Sequence, residues 1–443
     1  MRKILILCLL LVLAAAAWPV YVGMQVENAL REAHTGQLGA FRFHHAVAEY
    51  DRDNYRARAT TVLHVVGDGM DFELHLDHRI RHRLLGAAVD TRLAARQHAV
   101  DLPPPWRTAL AQAQPRADSW LGLGGGVSSR LSTRPVQVAW TDAVAENRRG
   151  IFLDVGAGQG GLAFSPERLV LSFDTETIRL DSGGASLLLD EFHYGSLVHP
   201  GPEGLYGRLP DYDLGLGAGR LSLQKEGREI FGTDSLQISA WQNSTVRQID
   251  SLLRLRAKEV RSVDVDLEGL DLHLNAVRWH RPTVMGFIEA RQGMVGMELD
   301  PQARAGLILG MVLDGLQQMI AHDPRLQGGI SVNSDPAKRL RAHLDLGLRG
   351  DAAGIAARPL EALDLNLGLE IGTELFGELE TLAGDPEVLR TWLELGISDG
   401  WIESRDGQLS SRLRMDEGRL LINDSDQTML LLALVFALGQ GMF

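Results

Sequence analysis

The chain's fourteen histidines are the side chains best suited to hold a metal or move a proton, so their spacing is the first question. His78 and His82 stand four apart within the alternating run that starts at Phe72. In an extended strand that spacing puts them on one face about 13 Å apart, too far for two ligands of one ion. His44 and His45 are adjacent and point to opposite sides of a strand. There is no H-E-x-x-H pattern, in which two helical histidines would meet one ion. Gly156-Ala157-Gly158-Gln159-Gly160-Gly161 has the spacing of a dinucleotide loop and follows the strand-like Ile151–Val155. Such a loop needs a helix to begin at its last glycine, so that free backbone N–H groups meet the pyrophosphate. Leu162 to Pro166 follows instead, and the segment reads as a glycine-rich turn between strands. Serines occur without a G-x-S-x-G elbow. The carboxylate pairs Glu378/Glu380 and Asp264/Asp266 read as solvated faces. The single cysteine, Cys8, lies inside the first apolar run, so the rest of the chain has no thiol for a disulfide, a zinc site or a nucleophile. No catalytic residue, cofactor or metal site is expected.

The elements that would carry any site are mostly strands. Phe72, Leu74, Leu76, His78 and Ile80 alternate with Glu73, His75, Asp77 and Arg79. Leu363 to Ile371 repeats that period, as does Val263 to Leu274, where Gly269 shifts the phase as a bulge would. Strict alternation means one buried and one wet face, the mark of antiparallel sheet. Gly67-Asp68-Gly69, Glu226-Gly227, Asp406-Gly407 and Glu417-Gly418 supply hairpin turns, and Leu409–Met415 with Arg419–Ile422 forms one such pair. Residues 25–40 read as a short polar helix, and Pro103–Leu110 as a surface segment. Further helices are expected at 301–322 and, in two short pieces, within 373–396. Met429 to Leu438 is an apolar run too short to span a bilayer.

The first residues set the compartment. Arg2 and Lys3 precede an apolar run from Ile4 to Met24, which includes Leu10 and Val12 and ends near Trp18 and Tyr21. About twenty residues at 1.5 Å rise reach roughly 30 Å, the thickness of a bilayer's hydrocarbon. Residues 1–24 are therefore expected to be a transmembrane anchor with a cytoplasmic N-terminus, Trp18 and Tyr21 lying at the far interface. A cleavable signal peptide ending near Ala15–Ala17 is the competing reading, and both export residues 25–443. The net charge of −13 repels phosphate backbones, so no nucleic-acid partner is expected.

The order of segments resembles a known family. Tyr50-Asp51-Arg52-Asp53-Asn54-Tyr55 leads into a strand, and His78-Arg79-Ile80-Arg81-His82 follows. Gly219-Arg220-Leu221-Ser222-Leu223 then precedes Glu226-Gly227-Arg228-Glu229. A helix ends at Asp323-Pro324, and Glu417-Gly418-Arg419-Leu420-Leu421-Ile422-Asn423 closes the pattern. Together these resemble the YdgA-like family of bacterial envelope proteins, a domain of unknown function. One departure is that the family places His-Gly-Pro after the first hairpin, whereas here His82 is followed by Arg83-Leu84-Leu85-Gly86. The resemblance implies an inner-membrane protein with a periplasmic β-rich body, and it transfers no catalytic residue.

The expected architecture is mainly β with minor α: an elongated antiparallel body, curled or two-layered, on an N-terminal transmembrane helix. Amphipathic strands outnumber the elements that could cover them. A groove that binds lipid or another hydrophobe, without catalysis, is therefore the leading reading. A periplasmic scaffold that recruits proteins through strand edges is the alternative.

Overall fold

The computed structural model describes residues 21–429 except 29, 32–33, 39–40, 54, 68–69, 84, 95–103, 123, 142–149, 166, 203–209, 263–265, 295–314, 316–317, 321, 334, 350–358, 383–385 and 417. The chain is mainly β and antiparallel. It divides into two units, Met1–Arg228 and Glu229–Phe443.

The first unit is a meander. β1 (His34–Leu38), β2 (Phe41–Arg52), β3 (Arg56–Gly67), β4 (Met70–Arg83), β5 (Gly86–Leu93), β6 (Arg116–Gly122) and β7 (Val127–Thr133) pair in that order. β7 then pairs with β10 (Gly158–Ser165), and the ladder runs on through β11 (Arg168–Ser182), β12 (Ala185–His199) and β13 (Asp211–Lys225). β8 (Val136–Thr141) pairs with β9 (Gly150–Val155), which lies beside the second half of β11 while β10 lies beside the first. The tight β11–β12 turn places Gly183 and Gly184 at φ +56° and +87°, the two left-handed positions of a type I′ hairpin.

In β11 to β13 the apolar set changes sides midway. Leu169, Leu171 and Phe173 of β11 pair with Val198, Ser196 and Tyr194 of β12, which pair with Tyr212, Leu214 and Leu216 of β13. Beyond Thr175 the large residues are Ile178 and Leu180, one position out of phase and so on the opposite face. They share it with Val155 and Leu153 of β9, and through those with the buried Val136 and Val138 of β8. Single-face alternation therefore holds for each half of these strands, not for their whole length.

A helix, α1 (residues 21–31, of which 29 is outside the description), lies on the first sheet. Val22 and Val26, one turn apart, are buried together with Ala57 and Ala59 of β3, Ile80 of β4, and Ala87 and Val89 of β5. The alanines keep the sheet surface low enough for a helix to approach, and burying each valine contributes about 1.5–3 kcal/mol. The polar helix expected at 25–40 is thus an amphipathic one that ends at 31, with strand β1 after it. The Met24 boundary read for the anchor falls inside a helix that packs on this sheet. α2 (Pro104–Ala113) caps β8, where Gln112 Oε1 accepts the backbone N–H of Gln137 at 2.7 Å.

The second unit repeats the plan. β14 (Arg228–Ser244), β15 (Gln248–Ala257), β18 (Leu270–His280), β19 (Arg325–Val332), β20 (Leu340–Leu348), β21 (Leu363–Gly372) and β23 (Gln408–Asp416) pair in sequence. β22 (Glu403–Arg405) and β24 (Arg419–Ile422) share the outer edge of β23, and β25 (Ser425–Asp426) pairs with β24. β16 (Glu259–Ser262) and β17 (Asp266–Leu267) pair beside the start of β14. Asp406 and Gly407, at φ +51° and +75°, make the type I′ turn expected there, and the Leu409–Met415/Arg419–Ile422 hairpin is present. Gly269, at φ +114°, sits in the bend before β18 rather than as a bulge within a strand.

α3 (Arg281–Met294), which the sequence pattern did not signal, follows β18 directly. α4 (Thr373–Leu382) and α5 (Pro386–Ser398) are the two short helices expected. The helix expected at 301–322 lies largely outside the described residues, which show helix at 315 and 318–320. The 429–438 run also lies outside them apart from Met429. Among the described residues no helix is long and apolar enough to cross a membrane.

Candidate functional site

Three surfaces concentrate chemistry. The first is the seat of α1. His78 and His82 share the buried face of β4 with Ile80, as their spacing requires. Thr61 of β3 bonds His78 Nε2 and Thr91 of β5 bonds Nδ1, each at 2.8 Å, so both ring nitrogens are satisfied inside the sheet. Burial, reinforced by neighbouring His45 and opposed by Asp77, lowers the His78 pKa to about 4. His82 lies under α1, where a Cβ on Gly23 would come within 2.6 Å of its ring, so the glycine is what lets helix and imidazole meet. His78 is thereby held as part of the sheet's own hydrogen bonding. His44 and His45 sit side by side on β2, pairing with His64 and Leu63.

The second surface is one face of the second sheet, where leucines run across six strands. Leu253, Leu274, Gly328, Leu344, Leu367 and Leu413 form one cross-strand row from β15 to β23. Leu255, Leu272, Ile330, Ala342, Leu369 and Ser411 form the next row. This face is partly open: Leu253 is 46%, Leu274 43%, Leu367 41%, Leu369 40% and Leu272 38% exposed, while Leu255, Ile330, Leu344 and Leu413 are half-buried. Five inter-strand gaps of about 4.8 Å make it roughly 24 Å wide.

The opposite face of the same strands is ionic. Asp271 takes both Arg254 and, at 3.3 Å, Arg256. Arg325 bridges Asp345 at 3.1 Å and Asp364 at 2.8 Å, and Arg349 also reaches Asp364 at 2.5 Å. Asp271 is held below the usual carboxylate range, chiefly by the Arg254 hydrogen bond. Arg325 is held above its usual value by Asp345 and Asp364, against the burial that would lower it. A similar cluster on the first sheet joins Arg92 and Arg116 to Asp90. Such half-exposed pairs each stabilise by at most about 1 kcal/mol, and their main effect is to keep this face wet.

Other sequence candidates fall apart in space or into ordinary roles. Gly156–Gly161 spans the entry to β10, and Gly158–Gly161 are strand residues rather than a turn. A side chain at Gly158 would strike the Phe173 ring, and one at Gly160 would strike the backbone carbonyl of Ser172. No helix N-terminus follows them. Glu378 pairs with Lys338 at 2.9 Å and Glu380 with Arg390 at 2.8 Å, so they are ion-pair partners rather than a dyad. Asp264 lies outside the described residues. Among the described residues no three His, Cys, Asp or Glu groups converge as metal ligands. Of the proposed anchor residues, Ile4, Leu10, Val12 and Trp18 lie outside the described residues. Tyr21 begins α1 and is 48% exposed.

Two features escaped the sequence reading. His280 stacks on His322 with ring centroids 4.4 Å apart, a contact between residues 42 positions apart that no local pattern signals. The exposed stripe Val388, Trp392 and Leu395 on α5 did carry a signal, the i, i+4, i+7 spacing.

A family model described as "Bacterial protein of unknown function (DUF945)" matches residues 1–429. No curated protein and no solved structure matches the chain.

Proposed function

The chain belongs to this bacterial family, the YdgA-like proteins, and on that premise we propose that it is a non-catalytic envelope protein that holds lipid tails. Residues 1–24 would supply the attachment to the bacterial inner membrane, with the body in the periplasm. The apolar run and the preceding Arg2 and Lys3 support that placement. The lipid reading rests on one observation: the open leucine face of the second sheet. Soluble surfaces rarely leave so wide an apolar patch uncovered without a ligand or partner for it. Its width of roughly 24 Å exceeds the ~15 Å of one bilayer leaflet's hydrocarbon, enough to lay an acyl chain across the strands.

The test is to extract the full chain from membranes, exchange the detergent and identify bound lipids by mass spectrometry. A stoichiometric lipid that is lost on Leu274→Asp with Leu367→Asp is the expected result. Wild-type protein that carries no lipid above the level of a control membrane protein refutes the reading.

The Trp392 stripe on α5 favours a second reading, a protein-docking scaffold, because tryptophan-centred apolar stripes dominate protein interfaces. A photo-crosslinking residue in place of Trp392 that captures no reproducible protein partner in cells would remove it.

A further inference from the structure

The ionic face of the second sheet has one exception to its pairing. Arg254, Arg256, Arg325, Arg349 and Arg414 all reach carboxylates. Arg341 of β20 and Arg412 of β23 project from the same face, both exposed, and make no ion pair among the described residues. Glu370 of β21 stands directly opposite Arg341 in the register, yet the two are not bridged. Oppositely charged neighbours on adjacent strands stabilise each other by up to about 1 kcal/mol when they bridge. Here both are left presented to a common space.

That space is a cleft of about 340 Å³, in which Arg341, Arg412, Glu370, His343, Ser410 and Asn423 all take part. It forms where β22 and β24 leave a gap along the outer edge of β23. Asn423 closes that gap: its Oδ1 accepts the Arg412 backbone N–H at 2.8 Å, and its own N–H donates to the Arg412 carbonyl. Gly368 lies directly across from both His343 and Arg412, and a side chain there would collide with the His343 ring. The glycine therefore lets the His343 ring lie flat against β21, where the imidazole forms part of the cleft wall. The cleft's two remaining charges are engaged elsewhere, Glu403 by Arg405 at 3.6 Å and Asp424 by Arg414 at 3.9 Å. Among the described residues, what remains of the cleft's charges without an ion pair is two guanidiniums and one carboxylate.

We propose that this cleft binds a phosphodiester that carries an amine. Arg341 and Arg412 donate to the phosphoryl oxygens, a geometry that guanidinium forks suit. Glu370 receives the ammonium, and Ser410 supplies a further hydroxyl at the rim. A glycerophosphoethanolamine group carries both charges, whether free or as the headgroup of a membrane lipid. The site lies on the ionic face and does not depend on the leucine face, so either can fail without the other.

The experiment is calorimetric titration of the full-length protein in detergent with glycerophosphoethanolamine and, in parallel, with glycerophosphoglycerol, the same diester without the amine. Saturable binding of the first, tighter than the second, is expected. Arg341→Gln and Arg412→Gln should each weaken it roughly tenfold or more, and Glu370→Gln should erase the preference between the two ligands. Cosedimentation of the protein with phosphatidylethanolamine vesicles that competing glycerophosphoethanolamine abolishes assigns the ligand to the lipid headgroup. Titration without such competition assigns it to the free compound. Absence of saturable heat with either diester on wild-type protein overturns the proposal, as does binding that both arginine variants leave unchanged while retaining the wild-type melting temperature.

Discussion

His78 shows how much one buried ring weighs. Its folded pKa of about 4 lies below the ordinary histidine value of 6.5, because burial penalises the charged form. The unfolded chain therefore binds the proton more readily. The stabilising difference is complete above pH 6.5 and is lost as the pH falls toward 4, to a total of roughly 3 kcal/mol. Urea unfolding of the wild type should thus weaken across that window, while His78→Gln is less stable at pH 7 and loses less on acidification. An equal loss in both proteins would mean that another group carries the acid response. Gly23 is the second residue-scale test. Gly23→Val should push α1 off His82 and lower stability by about 1–3 kcal/mol, read as a fall in melting temperature. Both roles were half legible in the sequence. The four-residue spacing put the two histidines on one strand face, but nothing local said that the helix preceding β1 would pack over that face.

The elements followed their local patterns closely where the pattern was strong. β4, β21 and the hairpin at Asp406-Gly407 read directly from period-two alternation and from turn residues that tolerate positive φ. β11 is the instructive exception, because its apolar residues change phase between Phe173 and Ile178. A polar substitution scan along it should show the switch. Phe173→Ser and Ile178→Ser are each expected to destabilise by about 1–3 kcal/mol, whereas Ser172 and Arg179 should tolerate change within about 0.5 kcal/mol. Uniform tolerance on either half would contradict two opposed apolar faces. α3 went unsignalled because its stripe is weak and it starts directly at a strand end, where no loop residues announce a boundary.

At the scale of the whole chain, the apolar run at Ile4–Met24 and the net charge carry the remaining predictions. The proposed attachment predicts that the full chain stays with membranes after alkaline carbonate extraction. A reporter fused after Phe443 should be active on the periplasmic side, and activity confined to the cytosol would reverse the topology. A net charge of −13 predicts no retention on nucleic acid at physiological salt.

Length, alternation and turn chemistry alone determined that this is an antiparallel β protein, because strand period and left-handed turn positions are local properties of the backbone. The order of segments alone identified the family. Which faces stay open was decided only in three dimensions. The leucine rows and the Arg341–Arg412 cleft join residues of six and four strands respectively, brought together by ladder register. Register is set by the packing of the whole sheet, and no single segment of sequence contains it.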